Sequence, residues 1–195
     1  MRHEGRVRAY DGFVKVDRVT VVDGGGTTSE WDIIVSRESV AVLAQLQSGG
    51  FVLFRQYRVG PDCELDELPG GYLDDGEEPI DGARRELREE TGVVGGDAYY
   101  LGSEWWAANS SRRKHLVLVV GAEDPGSTEW DELERGSVRI VSPVELLDHV
   151  IGGDLTDAGL CARGLLAIVA RPGVDPAMTE LAAQFAARLS GGGPV

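Results

Sequence analysis

An acidic segment near the middle of the chain carries the residues best suited to chemistry. The spacing of its apolar residues predicts a helix over Pro79–Thr91, with Gly92 suited to the position just past its end. At about 100° per residue, Glu89 and Glu90 lie within about 60° of Glu86 around such a helix. Three carboxylates therefore share one helix face, next to the buried apolar stripe.

Charge repulsion within this face needs an explanation. Glu86 and Glu90 are four residues apart, and like charges at that spacing destabilise a helix. Neighbouring arginines can offset the repulsion. In that case the charged residues form a solvent-exposed helix face with salt bridges. A divalent cation would offset it more completely. Ligands that offer only oxygen favour hard ions, Mg²⁺ or Mn²⁺.

The spacing of the whole segment favours the cation. Its defined positions are Gly71, Glu77, Arg85, Glu86, Leu87, Glu89, Glu90, Gly92 and Val93. At these positions the segment resembles the Nudix box, the signature of the Nudix hydrolases. The box covers 23 of the 195 residues, and weaker similarity extends over most of the chain.

The resemblance implies a fold and a reaction. The fold is an α+β architecture, an α/β/α sandwich, here with an extra N-terminal β-rich segment. The reaction is hydrolysis of a nucleoside diphosphate linked to another group, with Mg²⁺ or, as a possible substitute, Mn²⁺. The implied metal ligands are Glu86, Glu90, Glu89 and the carbonyl of Gly70, and the implied structural positions are Gly71, Glu77, Arg85 and Gly92.

The resemblance also implies a catalytic base in an acidic loop. Relatives place acidic residues before a strand like that predicted at Val138–Val141. Glu132 and Glu134 fit this position about equally, and Glu89 is a third catalytic candidate. The alternative is that the loop is merely a solvated acidic segment.

Flanking segments resemble the branch that cleaves ADP-ribose and related nucleotide sugars. These segments are Arg55–Arg58, Glu67–Gly71, Val144–Leu147 and Gly153–Ala158. Relatives that prefer ADP-ribose usually carry a proline about sixteen residues past the box, whereas residues 105–111 here contain none. ADP-glucose, GDP-mannose or another nucleotide sugar therefore remains open beside ADP-ribose.

Five residues are candidates for substrate binding. Arg55 and Arg58 are three apart, so they point to opposite faces of a regular strand, and at least one is a candidate for the diphosphate. Glu67 could bind a metal or a substrate amide, or could be the buried partner of an arginine. Adjacent tryptophans in a strand face opposite ways, and the outward one, assigned here as Trp106, could stack on the base. Trp31 could do so across a dimer.

Charge, cysteine content and hydropathy disfavour a nucleic-acid-binding, disulfide-bonded or membrane protein. The formal net charge of −14 disfavours binding to a nucleic-acid backbone. Cys63 and Cys161 fit no metal spacing and are expected to be free thiols. The charged start predicts no signal peptide, and no apolar run predicts a membrane span. We therefore expect a cytoplasmic protein without a membrane partner.

The pattern of elements predicts strands in the first two-thirds and helices in the last third. Strands are expected within Val14–Val22, Trp31–Val35, Ala41–Leu46, Phe51–Tyr57, Leu68–Gly71, Leu116–Gly121 and Val138–Val141, and further helices within Pro143–Ile151, Leu155–Arg171 and Pro176–Leu189. The predicted division is a β-rich segment over residues 1–37, a Nudix hydrolase domain over 38–190 and a disordered tail over 191–195. By resemblance, the first of these pairs across a homodimer.

These observations predict a Mg²⁺-dependent homodimeric hydrolase that acts on a nucleoside diphosphate sugar. The products would be a nucleoside monophosphate and a sugar phosphate. One alternative is a Nudix hydrolase of nucleoside triphosphates or dinucleotides. Another is a ligand sensor with the same fold and no turnover, although the intact set of box glutamates argues against it.

Overall fold

The computed structural model describes residues 1–125, 136–153, 155–170, 179, 182–183 and 186–187. Its strands are β1 (Arg2–Asp11), β2 (Lys15–Val22), β3 (Thr28–Val35), β4 (Ser39–Leu46), β5 (Phe51–Arg58), β6 (Cys63–Glu67), β7 (Gly95–Trp105), β8 (Arg113–Ala122) and β9 (Gly136–Val141). Its helices are α1 (Pro79–Thr91), α2 (Pro143–Gly152) and α3 (Ala158–Ala170). The chain divides into two compact units, Met1–Ser39 with Ser103–Lys114, and Val40–Gly102 with His115–Val195.

The first unit contains a three-stranded antiparallel sheet in the order β1-β2-β3. The β2–β3 hairpin was expected, and its turn is held by the carboxylate of Asp23, which accepts the backbone N–H groups of Gly25 and Thr27. Side chains on the central strand alternate, so Val19 and Val21 are buried. The same face buries Asp17, whose carboxylate accepts hydrogen bonds from Arg6 and Arg8.

The second unit is built on a six-stranded sheet in the order β6-β5-β4-β8-β7, with β9 paired to β5. β5 lies at the centre because β9 pairs along one of its edges, while β4 and β6 pair with successive parts of the other. Both faces of this sheet are covered by helices, which explains why β4, β5 and β8 are nearly continuous apolar runs.

Alternation along β5 separates two hydrophobic cores. Val52 faces α1 and packs in the cluster that includes Ala83 and Leu87. Phe51 and Leu53 face the other way, into a cluster with residues of α2 and α3. The predicted α/β/α sandwich with extra N-terminal strands is confirmed.

Three strands were missing from the prediction, and several elements have different limits. β1 and β7 were not predicted, because neither carries a period-two apolar pattern. β6 was not predicted either, and the strand expected over 68–71 is wrong, because those residues follow β6 and form no strand. β8 begins at Arg113, three residues earlier than expected, and α3 begins at Ala158, three residues later than expected. Most of the helix predicted at 176–189 and the whole tail lie outside the described residues. The division at residues 37 and 38 stays a prediction.

Two expectations from composition can be compared with the structure. Cys63 is exposed and Cys161 is buried, and both are free. In the part of the chain that the structure describes, no helix is long and apolar enough to cross a membrane.

Candidate functional site

The carboxylate-bearing helix α1 has the limits that the sequence predicts. It starts at Pro79 after the extended residue Glu78, and Gly92 ends it with φ 69°. In this left-handed conformation the N–H of Gly92 donates to the carbonyl of Arg88 at 2.8 Å, and a side chain would be strained there. Burial of Ala83 and Leu87 fixes the rotation of the helix, so its glutamates lie at the edge of the core.

Arg85 is the centre of the polar network on α1. Its Nε and Nη2 donate to the two oxygens of Glu77 at 2.9 and 2.8 Å. Its Nη1 donates to Glu86 at 2.8 Å and to Glu89 at 3.2 Å, and Nη2 also donates to the carbonyl of Tyr72 at 3.1 Å. These bonds use all five N–H donors of a guanidinium.

The fork from Arg85 changes the acid–base properties of its partner. The hydrogen bonds from Arg85 lower the pKa of Glu77 to about 2, against an opposing effect of desolvation. The same bonds raise the pKa of Arg85. Glu77 thus ties the start of the box to α1 as an ion pair over the ordinary pH range.

Two consecutive glycines pack against the glutamates of α1. The N–H of Gly70 donates to Glu90 Oε2 at 2.8 Å, and Glu90 is only 6% exposed. A Cβ at Gly71 would lie 2.4 Å from Glu86 Oε1, and one at Gly70 would lie 2.1 Å from the carbonyl oxygen of Val40. A side chain at Gly70 would displace backbone, so this position must be glycine, whereas a side chain at Gly71 would push the carboxylate of Glu86 aside.

The donor set fits a hard divalent cation. Glu86 and Glu90 lie against consecutive residues of one turn, and both offer carboxylate oxygens. Glu89 lies 3.2 Å from Arg85, which it shares with Glu86, and 3.5 Å from Arg88. Within the described ranges, no group of three or more acidic, histidine or cysteine side chains is already gathered as a metal site. Two carboxylates suit Mg²⁺, which usually keeps waters and takes further ligands from substrate phosphates.

Arg58 and Glu67 form an ion pair on the α1 face of the sheet. Glu67 pairs in register with Phe54, which has the same alternation as Val52 and Arg58. Nε of Arg58 donates to Glu67 at 2.6 Å, and Nη2 donates to its second oxygen. The pKa of Arg58 is raised, mainly by these bonds and further by the negative charges of Glu67, Glu90 and Asp157, against an opposing effect of desolvation.

Arg55 lies on the opposite face of the sheet. It donates to Glu64 and to the buried carboxylate of Asp66, which also binds Arg139 of β9 and lies 3.5 Å from His149 of α2. Sequence reasoning missed this cluster around Asp66. The available signal was the alternation of β6, which sends Asp66 and Glu67 to opposite faces.

The tryptophan candidates belong to the first unit. Trp31 is 53% exposed and its indole N–H donates to Ser29 at 3.2 Å. Trp105 is the last residue of β7 and Trp106 lies past its end, so strand alternation does not apply to the pair, and both side chains are exposed. The guanidinium groups of Arg113 and Arg112 cover their rings at 4.7 and 4.4 Å. These cation–π contacts stabilise both rings at the surface without burying either.

The candidate bases Glu132 and Glu134 lie outside the described residues. Of the three predicted catalytic carboxylates, only Glu89 is therefore placed, on α1 and bound to Arg85. Base, sugar and phosphate contacts of the predicted substrate-binding residues stay predictions.

Comparison with known proteins identifies the family. The model of the NUDIX domain matches residues 35–156, more than half of the chain. This chain belongs to the Nudix domain family. The family expected from the box is thus confirmed.

Relatives of this Nudix chain include ADP-ribose pyrophosphatases. The enzyme of that name from Mycobacterium tuberculosis is 29% identical over 169 residues, which cover 85% of this chain and 78% of the relative. An ADP-ribose pyrophosphatase from Bacillus subtilis is 40% identical over 69 residues, 35% of this chain and 37% of the relative. An ADP-sugar pyrophosphatase from Mus musculus and a methanol dehydrogenase activator from Bacillus methanolicus are 33% and 38% identical, over 43% and 42% of their lengths. The chain thus spans less than half the length of the relatives from Bacillus subtilis, Mus musculus and Bacillus methanolicus.

A solved structure gives the same fold. A crystal structure of an ADP compounds hydrolase matches with a TM-score of 0.73 at 22% identity, over 83% of this chain and 89% of the other. At this identity the match shows the Nudix fold alone.

The Glu77–Arg85 pair predicts an acid-dependent loss of stability. The folded-state pKa of about 2 lies below the ordinary value of 4.5, so the stabilisation is present above pH 4.5 and is lost as the pH falls toward 2. Glu77→Gln should lower the free energy of unfolding at pH 7 by about 1–3 kcal/mol, and the difference from wild type should shrink below pH 4. Urea denaturation with chelator, between pH 7 and pH 3, measures both.

Glu78→Gln is the matched control, because Glu78 is the exposed neighbour and makes no side-chain cap. Its unfolding free energy should follow that of wild type throughout. Equal destabilisation of the Glu77 variant at pH 7 and pH 3 would contradict the role of its charge.

Proposed function

We propose that this Nudix protein hydrolyses the diphosphate linkage of a nucleoside diphosphate sugar, giving a nucleoside monophosphate and a sugar phosphate. The observation that carries the proposal is the packing of the Glu86 and Glu90 carboxylates against Gly70 and Gly71. The names of the relatives, ADP-ribose pyrophosphatases among them, support the substrate class. The missing proline in residues 105–111 keeps ADP-glucose and GDP-mannose beside ADP-ribose.

Divalent metal is part of the proposal. Nudix hydrolases generally use divalent metal ions, and here Glu86, Glu90 and the carbonyl of Gly70 would hold Mg²⁺. The ion supplies neutralisation of the diphosphate oxygens and a lower pKa for bound water. Arg85 directs the carboxylate of Glu86 by a hydrogen bond at 2.8 Å. The N–H of Gly70 directs the carboxylate of Glu90 in the same way.

Arg58 is the proposed contact for the diphosphate. Its bonds to Glu67 use two of its five N–H donors, which leaves donors for phosphate oxygens. Glu67 orients the guanidinium and is its buried partner, rather than a metal ligand. Arg55 has no part in this binding, because it faces the cluster around Asp66.

The remaining roles rest on the resemblance. Glu132 or Glu134, or failing these Glu89, would take the proton from the attacking water. Trp31 and Trp106 are exposed aromatic surfaces that could stack on a base. A homodimer is supported by β1, a ten-residue edge strand on which every side chain is exposed.

A substrate panel tests the reaction. The purified chain is incubated with ADP-ribose, ADP-glucose, GDP-mannose, UDP-glucose, NADH and a nucleoside triphosphate, each with Mg²⁺ and each with chelator. Mass spectrometry should show Mg²⁺-dependent release of a nucleoside monophosphate and a sugar phosphate from a nucleotide sugar. Exclusive cleavage of the triphosphate or of NADH would replace the proposed substrate class. Binding without any product would point to a sensor.

Replacing Glu90 by glutamine should lower turnover while leaving the fold intact. Glu90→Gln keeps the shape of a buried side chain and the bond from Gly70 but removes the charge, so kcat should fall by at least about 100-fold. The thermal midpoint in chelator should change by only a few degrees. The control Glu78→Gln, at the exposed residue just before the helix, should keep wild-type turnover. A Glu90 variant with wild-type rates would overturn the metal assignment.

A further inference from the structure

A cavity lined by arginine and apolar side chains lies on the far side of α1 from Glu86. It has a volume of about 340 Å³ and lies between the helix and the segment that follows it. Its lining includes Arg84, Arg85 and Arg88, with Leu87, Val93 and Val94 between them. At about 100° per residue, Arg84 and Arg88 each lie about 160° around the helix from Glu86, so the cavity opens away from the carboxylate face.

Two of the arginines at this cavity are close in sequence, and one of them is anchored by backbone carbonyls. Arg84 and Arg88 are four residues apart, a spacing at which like charges repel, in a chain of net charge −14. Arg84 is anchored because Nη1 donates to the carbonyl of Gly95 at 3.2 Å and Nη2 donates to that of Gly96 at 2.9 Å. These bonds use two of its five donors. Arg88 is half-exposed and lies 3.5 Å from Glu89.

The rest of the lining is apolar. Leu87 and Val93 are buried, and Val94 is 42% exposed at the rim. The volume falls at the lower end of the range for small-molecule sites, about 300–1,000 Å³. A ligand that suits this lining combines an anionic group able to accept several hydrogen bonds with an apolar part.

We propose that this cavity binds a small phosphate monoester. The phosphate accepts hydrogen bonds from Arg84 and Arg88, and the apolar part of the ester lies against Val94. The site is distinct from the glutamates, but Arg85 lines the cavity and also holds Glu86 and Glu89. A bound anion is therefore one side chain away from the proposed metal ligands.

The test uses two probes, inorganic phosphate and phenyl phosphate, in chelator so that metal-mediated binding does not contribute. Isothermal titration should show saturable binding of both, with phenyl phosphate the tighter by a few-fold because its ring covers apolar surface. Amide chemical shifts in NMR spectra should move at Val94, Gly95 and Gly96. No saturable binding, or shifts confined to residues outside 84–96, would overturn the proposal.

Variants locate the site independently of net charge. Arg84→Gln with Arg88→Gln should weaken phenyl phosphate binding about tenfold or more, as expected for lost charge-assisted hydrogen bonds. The control is Arg2→Gln with Arg18→Gln, which removes the same charge from exposed residues of the first unit. An equal loss in the control would show that overall charge alone is responsible.

A second variant covers the case in which the double variant fails to fold. Val94→Glu leaves α1 unchanged and places a negative charge at the rim, so it should abolish phosphate binding with little change in the thermal midpoint. Val94→Gln introduces a side chain of the same size as glutamate but without its charge, so it should retain most of the affinity for inorganic phosphate. Undiminished binding by the Val94→Glu variant would contradict the proposal.

Discussion

The guanidinium of Arg85 is the interaction on which the rest of the site depends. Glu77, Glu86 and Glu89 would repel one another without a shared positive partner, and all five N–H donors of Arg85 are spent on them and on the carbonyl of Tyr72. A lysine has three donors in a compact ammonium group and could not reach this set. Glu90 is held separately, by the N–H of Gly70. The network thus orders the acidic face of α1 before any cation or substrate arrives.

Strand alternation places the neighbouring carboxylates of β6 on opposite faces of the sheet, where they bind different arginines. Asp66 and Glu67 are adjacent, yet they face opposite sides of the sheet. Asp66 binds Arg55 and Arg139 near His149, and so joins β5, β6, β9 and α2. Breaking a buried ion cluster of this kind is costly, which gives it a structural role. Glu67 orients Arg58 on the α1 face, and the negative charge of Glu90 contributes to the raised pKa of Arg58.

Helix α1 was predictable because several local signals agree there: an apolar stripe of period 3.6, a proline at its start and a glycine just past its end. The strands β1 and β7 were not, because exposed or glycine-containing strands are specified by their partners rather than by their own pattern. Arginine partners for Glu67 and Asp66 depend on register, which a single sequence does not reveal. Trp105 and Trp106 are covered by Arg113 and Arg112, which lie eight and six residues further along the chain, and these pairings also depend on tertiary contacts.

The central claim, that Glu86 and Glu90 are the cation ligands, is tested most directly by titration with Mn²⁺ followed by electron paramagnetic resonance, without substrate. Wild type and the exposed-site control Glu78→Gln should bind the ion alike. Glu86→Gln and Glu90→Gln should each bind at least about tenfold more weakly, since each loses one carboxylate of the donor set. Equal affinities in all four proteins, or no binding by wild type, would contradict the account.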